Sequence, residues 1–269
     1  MNTKENIAVL GAGNLGLSIA KGFVKAGVCD ASQITLTRRN VTKLEKQKEN
    51  GFKVTTDNKS AVIDAKYVFL CVQPKQLGAL LAEIEEVLDA KKHVLISTIT
   101  GVSLDVISGY LKGDYPIVRS MPNTAAEIAE SMTCLCANKK AKDEVEKVER
   151  LLKALGDTLI IEERMMKAAT VLAASGVAFF LRYIRAATQG GIQLGFDSAE
   201  AQKIAVQTAR GAASLLMQSD AHPETEIDKV TTPEGCTIAG LNEMEHQGLS
   251  SALIKGIVTS FEKINRITE

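Results

Sequence analysis

The chain has no excess of either charge: Lys plus Arg and Asp plus Glu each number 32 in 269 residues, for a formal net charge of zero. That balance argues against a nucleic-acid binder held by a global basic field, though it leaves room for a small local anion site. Nor is there a disulfide framework. Cys29, Cys71, Cys134, Cys136 and Cys236 are odd in number and follow no framework spacing, as expected of a reduced, cytoplasmic protein. Cys134 and Cys136 lie two apart in a strand-like run and should share one face as a buried thiol pair. No Cys-x-x-Cys or His-x-x-x-His spacing occurs, and His93, His222 and His246 are scattered, so no metal site is expected. The N-terminus shows no targeting pattern: Met1 to Asn6 is polar and an ordinary strand pattern starts at Ile7. No apolar run reaches the length of a membrane span. The longest, near Val171 to Leu181, is broken by Ser175 and Gly176 and followed by Arg182. Neither a membrane nor a nucleic acid is expected as a partner.

What is present is a core-forming composition, 45% hydrophobic and 24% charged, on a length that suits one large domain or two ordinary ones. Strand and helix patterns alternate through the first half. Strands are predicted at 7–10, 33–37, 52–55, 67–72, 93–98, 116–121, 132–137 and 159–161. Helices are predicted at 15–26, 41–50, 76–87 and 143–155, with a short helix capped by Ser103. The 67–72 run is apolar on both faces, as a buried parallel strand must be. Such alternation predicts an α/β fold with a mostly parallel Rossmann-type sheet. Beyond Glu162 only helical patterns remain, at 164–194, 198–218 and from Cys236 onward. The domains are therefore placed at 1–163, dinucleotide-binding, and 164–269, all-helical. The second is small for helices so broadly apolar, so an interlocked homodimer or higher homo-oligomer is expected.

Leu10-Gly11-Ala12-Gly13-Asn14-Leu15-Gly16 follows a strand and opens a helix. Gly11 suits a tight turn, Gly13 a close approach to pyrophosphate, and Gly16 close packing of helix on strand. The helix start offers free N–H groups and a positive dipole end to phosphate. An NAD site usually carries an acidic side chain at the end of the second strand, but this chain has Thr37-Arg38-Arg39-Asn40. Two guanidinium groups suit a 2′-phosphate, so NADP(H) is preferred, with NAD(H) the alternative.

A second constellation, Val230-Thr231-Thr232-Pro233-Glu234-Gly235-Cys236-Thr237-Ile238, reads as a turn opening a helix. The N–H groups of Gly235, Cys236 and Thr237 would form a carboxylate site, with the Thr237 hydroxyl beside it. Equally, these threonines could serve only to cap the helix. With the glycine loop, Asn58 in the Asp57-Asn58-Lys59 turn, Val72-Gln73-Pro74-Lys75, Arg119-Ser120-Met121-Pro122-Asn123-Thr124, Ala174-Ser175-Gly176 and His222-Pro223, the chain resembles the pyrroline-5-carboxylate reductase family along essentially its whole length. The resemblance implies NAD(P)H-dependent reduction of a cyclic imine, 1-pyrroline-5-carboxylate, to L-proline, the last step of proline biosynthesis. It implies that Thr237 bonds the imine nitrogen, that Gly235 and Cys236 hold the carboxylate, and that Asp220 and Ser175 lie near the substrate. It also implies that Asn58, Val72, Gln73, Pro74, Lys75 and Asn123 contact cofactor, and that the helical domain dimerises by interleaving.

The chain departs from the family at several positions. Ala174 and Val177 replace a glycine and a proline, and Glu234 stands where glycine is frequent, with a carboxylate unwelcome beside a carboxylate site. Gln73 and Arg185 also differ. Two alternatives stay open on the same architecture. One is a reductase of a related cyclic imine or of a β-hydroxyacid, the latter using Lys167; the other is a non-catalytic NADP(H)-sensing protein.

Overall fold

The computed structural model describes residues 3–267. Two compact units emerge: one holds the chain up to Ser175 and its return from Phe261, and the other spans Gly176–Ser260.

In the first unit, the described residues form one eight-stranded sheet. Its strands are β1 (Ile7–Leu10), β2 (Ile34–Thr37), β3 (Lys53–Thr55), β4 (Tyr67–Leu70), β5 (Val94–Ser97), β6 (Ile117–Met121), β7 (Ser131–Ala137) and β8 (Gly156–Ile160). They lie in the order β3-β2-β1-β4-β5-β6-β7-β8, parallel except where β7 meets β6 antiparallel. Alternation along each strand splits the core in two. Ile7, Val9, Phe69 and Ile96 face one cluster; Ala8, Leu10, Val68, Leu70 and Leu95 face the other. Helices α1 (Asn14–Lys25), α2 (Glu45–Glu49), α3 (Asn58–Ile63), α4 (Leu77–Ile84), α5 (Leu104–Gly109) and α6 (Val145–Lys153) connect the strands, and α7 (Met166–Ala169) follows the last of them. α1 and α6 bury Ile19, Phe23, Val148 and Leu152 on the first face, where Phe23 meets Phe69 with ring centroids 5.7 Å apart. α3, α4 and α5 bury Val62, Leu77, Leu81, Ile84 and Ile107 on the second.

Several connections are tighter than the helical periodicity suggests. The predicted helix at 41–50 is a 3-10 turn at Val41–Leu44 followed by α2. Asn58, expected in a turn, is the first residue of α3, which Asp57 caps by accepting from the Ser60 N–H at 3.1 Å. His93 is buried just before β5. Its Nδ1 accepts from the Asp89 N–H at 2.8 Å, so its Nε2 carries the proton that bonds the Val62 carbonyl at 3.1 Å. Burial, then neighbouring Lys92, lowers its pKa. Cys134 and Cys136 are buried and unpaired, as the sequence anticipates.

The second unit carries α8 (Gly176–Gln193), α9 (Ser198–Gln218), α10 (Pro223–Val230), α11 (Cys236–His246) and most of α12 (Leu249–Ile267). α8 packs closely on α9 at Gly191, where an added Cβ would stand 3.0 Å from that of Ala201. Helix α10, absent from the sequence reading, starts at Pro223 with His222 as its cap, its Nδ1 accepting from the Glu224 N–H at 3.3 Å. The predicted C-terminal helix is two, parted at Gly248 with φ +79°. Phe180, Leu181 and Tyr183 on α8, Met217 on α9 and Ile254 on α12 stand exposed. The 31-residue stretch Glu163–Gln193 holds an 18-residue window of mean hydropathy 1.3, and so is long and apolar enough to cross a membrane by length and composition alone. The sequence shows no such run because Ser175 and Gly176 interrupt its apolar residues, whereas the helical path predicted over 164–194 continues through both.

Candidate functional site

The strand order reverses between β1 and β4, because the chain builds β2 and β3 outward on one side before returning on the other. A reversal of this kind opens a crevice past the carboxyl ends of the two strands, where open α/β sheets bind ligands. A cavity of about 750 Å³ lies here, lined by Gly11, Gly13, Thr37, Arg38, Arg39, Lys43, Asn58, Val72, Gln73, Lys75 and Glu83, among others.

Gly11 turns the chain at φ +92°, and a Cβ on it would stand 2.7 Å from both the Cys71 carbonyl oxygen and Val72 Cγ1. Gly16 is buried, its hypothetical Cβ 3.0 Å from Val9 Cγ1. Gly13 differs. Its hypothetical Cβ comes no nearer than 4.0 Å to another group, the Gly11 carbonyl oxygen, so its protein neighbours do not demand glycine. It is the N-cap of α1, and no side chain caps that helix start. The missing Cβ thus leaves an open cradle at uncapped N–H groups, which fits a pyrophosphate. Ala12, buried at the turn, donates its N–H to the Thr37 carbonyl at 2.8 Å; Asn14 is exposed and Leu15 half-buried.

Four cations line the cavity, Arg38, Arg39, Lys43 and Lys75. Arg38 NH1 donates to the Ala12 carbonyl at 3.1 Å, so it ties the glycine loop to β2. Arg39 is exposed, with no hydrogen bond or ion pair among the described residues. A hydrogen-bond chain crosses the floor: Asn58 Nδ2 donates to Glu83 at 3.0 Å, Thr37 Oγ1 to Asn58 Oδ1 at 2.6 Å, and the Gly11 N–H to Thr37 Oγ1 at 3.3 Å. Val72 is half-buried; Gln73, Pro74 and Lys75 are exposed in a 3-10 turn, where Gln73 and Gln76 form a reciprocal cap. Burial pushes the Cys71 thiol up to about 11, leaving it neutral and no nucleophile near neutral pH. Sequence reasoning missed Thr37, Lys43 and Glu83. A third basic residue following Arg38 and Arg39 was a signal for Lys43, whereas Glu83 reaches the site only because α4 packs beside α3.

Asn123 does not line this cavity; its amide is engaged elsewhere, with Nδ2 donating to the Ala173 carbonyl at 3.1 Å and Oδ1 accepting from the Ala125 N–H at 2.9 Å. Ser175 is half-buried and ends a π-helical turn, Thr170–Ser175. Lys167 Nζ donates to Asn265 Oδ1 at 3.1 Å.

In the second unit, Gly235 is the N-cap of α11, again without a side-chain cap. No threonine caps this helix; the Thr231 hydroxyl instead bonds the Asp228 carbonyl at 3.1 Å and closes α10. The Gly235 N–H is already donated to the Thr232 carbonyl at 2.9 Å, leaving Cys236 and Thr237 to supply the N–H groups at the helix start. An added Cβ at Gly235 would meet Thr232 Oγ1 at 2.4 Å, so glycine is needed there. Cys236, Thr237 and Asp220 are all exposed. Glu234 is exposed too, at φ +58°, which explains the unease at this position differently: the backbone rather than the charge favours glycine.

Among the described residues no cluster of metal-ligating side chains occurs. Two family models match the chain. "Pyrroline-5-carboxylate reductase dimerisation" covers residues 163–267, and "NADP oxidoreductase coenzyme F420-dependent" covers residues 6–101. Pyrroline-5-carboxylate reductase 1 of Dictyostelium discoideum is 49% identical over 96% of this chain, which spans only 49% of that relative. Pyrroline-5-carboxylate reductase 2 of the same organism is 44% identical over 99% of this chain and 94% of its own length. Among solved structures, the Plasmodium falciparum pyrroline carboxylate reductase with NADP bound superposes with a TM-score of 0.91, at 20% identity and full coverage of both chains.

Proposed function

Because the chain belongs to the pyrroline-5-carboxylate reductase family, we propose that it reduces 1-pyrroline-5-carboxylate to L-proline with NADPH, NADH being the weaker alternative. The observation that carries this reading is the Gly13 cradle, an uncapped helix start opening on a cavity rich in cations. When bound there, the dinucleotide supplies the hydride for a carbon–nitrogen double bond.

The chain's own residues would bind and orient. The N–H groups at the start of α1, from Asn14, Leu15 and Gly16, face the pyrophosphate, and Gly11, Ala12 and Gly13 shape the loop. Arg39, with Lys43 beside it, receives the 2′-phosphate, while Arg38 supports the loop through Ala12. Asn58, Val72, Gln73, Pro74 and Lys75 complete the cofactor wall. The start of α11 receives the substrate carboxylate through Cys236 and Thr237 in the turn that Gly235 permits. The Thr237 hydroxyl orients the imine nitrogen, and Asp220 and Ser175 stand near the substrate. A protonated imine accepts hydride readily, so orientation supplies much of the rate, with Thr237 in a modest acid–base role. No histidine or thiolate is required.

Residues 1–163 serve as the cofactor domain and 164–269 as the substrate-binding and dimerisation domain. A second copy of the chain would cover the exposed apolar side chains of α8, α9 and α12, and light scattering that finds a stable monomer would reject that part. Five unpaired thiols suit the reducing cytosol.

The deciding experiment follows NADPH absorbance with pyrroline-5-carboxylate and with its six-membered analogue. Turnover of the five-membered ring is expected. No turnover of either ring defeats the reading, and turnover of only the larger ring redirects it to a related imine. Replacing Arg39 by alanine should raise KM for NADPH about tenfold and leave NADH nearly unchanged, since a charged hydrogen bond to phosphate is lost. Arg38→Ala should weaken both cofactors alike.

A further inference from the structure

Residues 163–175 pass through three helical forms: a 3-10 turn at Glu163–Met165, α7, and the π-helical turn Thr170–Ser175. A π-turn is rare, because its wider ring of hydrogen bonds is less favourable than the α form, and it concentrates at functional positions. Here it ends on Ser175.

Two ties run to this segment from β6 and the residues just after it. At its start, Glu163 Oε1 accepts from Arg119 NH1 at 2.9 Å and from the Leu104 N–H at 2.7 Å. Arg119 is buried, and its Nε and NH2 have no partner among the described residues, so the Glu163 carboxylate carries the task of balancing its charge. Near the segment's end, Asn123 Nδ2 donates to the Ala173 carbonyl at 3.1 Å. The orientation of this amide follows from its partners, since Oδ1 faces the Ala125 N–H at 2.9 Å and a flipped amide would oppose like groups at both ends.

Position 123 has a second informative property. Asn123 is the N-cap of the 3-10 turn Thr124–Ile128, a task that aspartate or serine performs equally well. The cap alone therefore does not call for an amide. Only the donor toward Ala173 uses the nitrogen, and the side chain is almost fully buried, at 7% exposed.

We propose that Asn123 is a positioning residue for the reaction: it sets Ser175 by holding the Ala173 carbonyl in the π-turn, instead of touching the cofactor. This rests on the proposed reading of Ser175 as a substrate-site residue. Arg119 and Glu163 hold the other end of the same segment.

The test replaces Asn123 by aspartate, which keeps the capping oxygen and sets a carboxylate against the Ala173 carbonyl. Turnover of pyrroline-5-carboxylate should fall roughly tenfold or more, the effect of a lost buried hydrogen bond and an unsatisfied acceptor. The dissociation constant for NADPH, read by fluorescence titration, should stay within about twofold. Hydrogen exchange across residues 166–175 should quicken. The double variant with Ser175→Ala should be no slower than the slower single variant, because the two changes act in one path. Should Asn123→Asp fail to fold, Asn123→Ser keeps the cap but is too short to reach Ala173, and the same results are expected. A parallel rise in the NADPH dissociation constant, effects that multiply with Ser175→Ala, or unchanged exchange each overturn the inference. If the wild-type chain turns over no imine, the functional reading falls first, and exchange in the aspartate variant still decides whether the tether exists.

Discussion

Gly11 and Gly13 are both glycine, for reasons that substitution can separate. An alanine at 11 meets backbone at 2.7 Å in a left-handed conformation, whereas an alanine at 13 meets nothing nearer than 4.0 Å. Gly13→Ala should therefore keep the wild-type melting temperature while weakening NADPH at least tenfold, because the methyl occupies room meant for phosphate. A wild-type dissociation constant in that variant would contradict the cradle. Glu234 gives the opposite kind of residue, one whose side chain is unencumbered and whose backbone is strained at φ +58°. Glu234→Gly should stabilise the fold by about 0.5–1 kcal/mol, since relief of the left-handed conformation outweighs the extra chain entropy. Chemical denaturation would measure the gain. Gly13 was legible from its place in a motif. The conformation of Glu234 was not, because φ is decided by the turn that links α10 to α11.

At the scale of elements, periodicity located the strands well and the helix interruptions poorly. Buried strands announce themselves because both faces must be apolar, as in β4. The π-turn at Thr170–Ser175 has no such signature, and it is sustained by partners far away in sequence, notably Asn123. The break before α12 turns on Gly248 alone. Close packing between elements gives another test. Helix α1 crosses so near the 3-10 turn at Thr124–Ile128 that a Cβ on Gly22 would stand 2.2 Å from the Ala126 carbonyl oxygen. Gly22→Ala should destabilise the first unit by about 2–3 kcal/mol, an overpacking effect, and lower the melting temperature. An unchanged melting curve would mean that helix and turn separate freely. This second glycine of α1 belongs to no motif, and only the packed structure explains it.

At the scale of the molecule, buried thiols set a pH limit. Burial, with the nearby Asp30 charge adding to it, pushes Cys29 up to about 11; burial does the same for Cys71 and Cys136. The folded chain thus holds thiol protons that the unfolded chain releases near the ordinary value of 9.0. Stability from the neutral thiols is complete below pH 9 and is lost as pH rises toward about 11. Thermal melts across that window should show a falling midpoint, and Cys29→Ala should flatten part of the slope. A flat profile would show that the thiols titrate alike in both states.

The sequence by itself determined the alternating strands and helices, the glycine loop and the threonine-rich turn. These are local features, each set by side-chain period or by a backbone angle that few residues adopt. The tertiary structure alone decided that Thr37, Asn58 and Glu83 join in one hydrogen-bond chain to Gly11, that Arg38 supports the loop, and that the Asn123 amide belongs to Ala173. Each of those bonds joins elements that meet only when the sheet is assembled, and no spacing along the chain records which polar atoms will face one another across it.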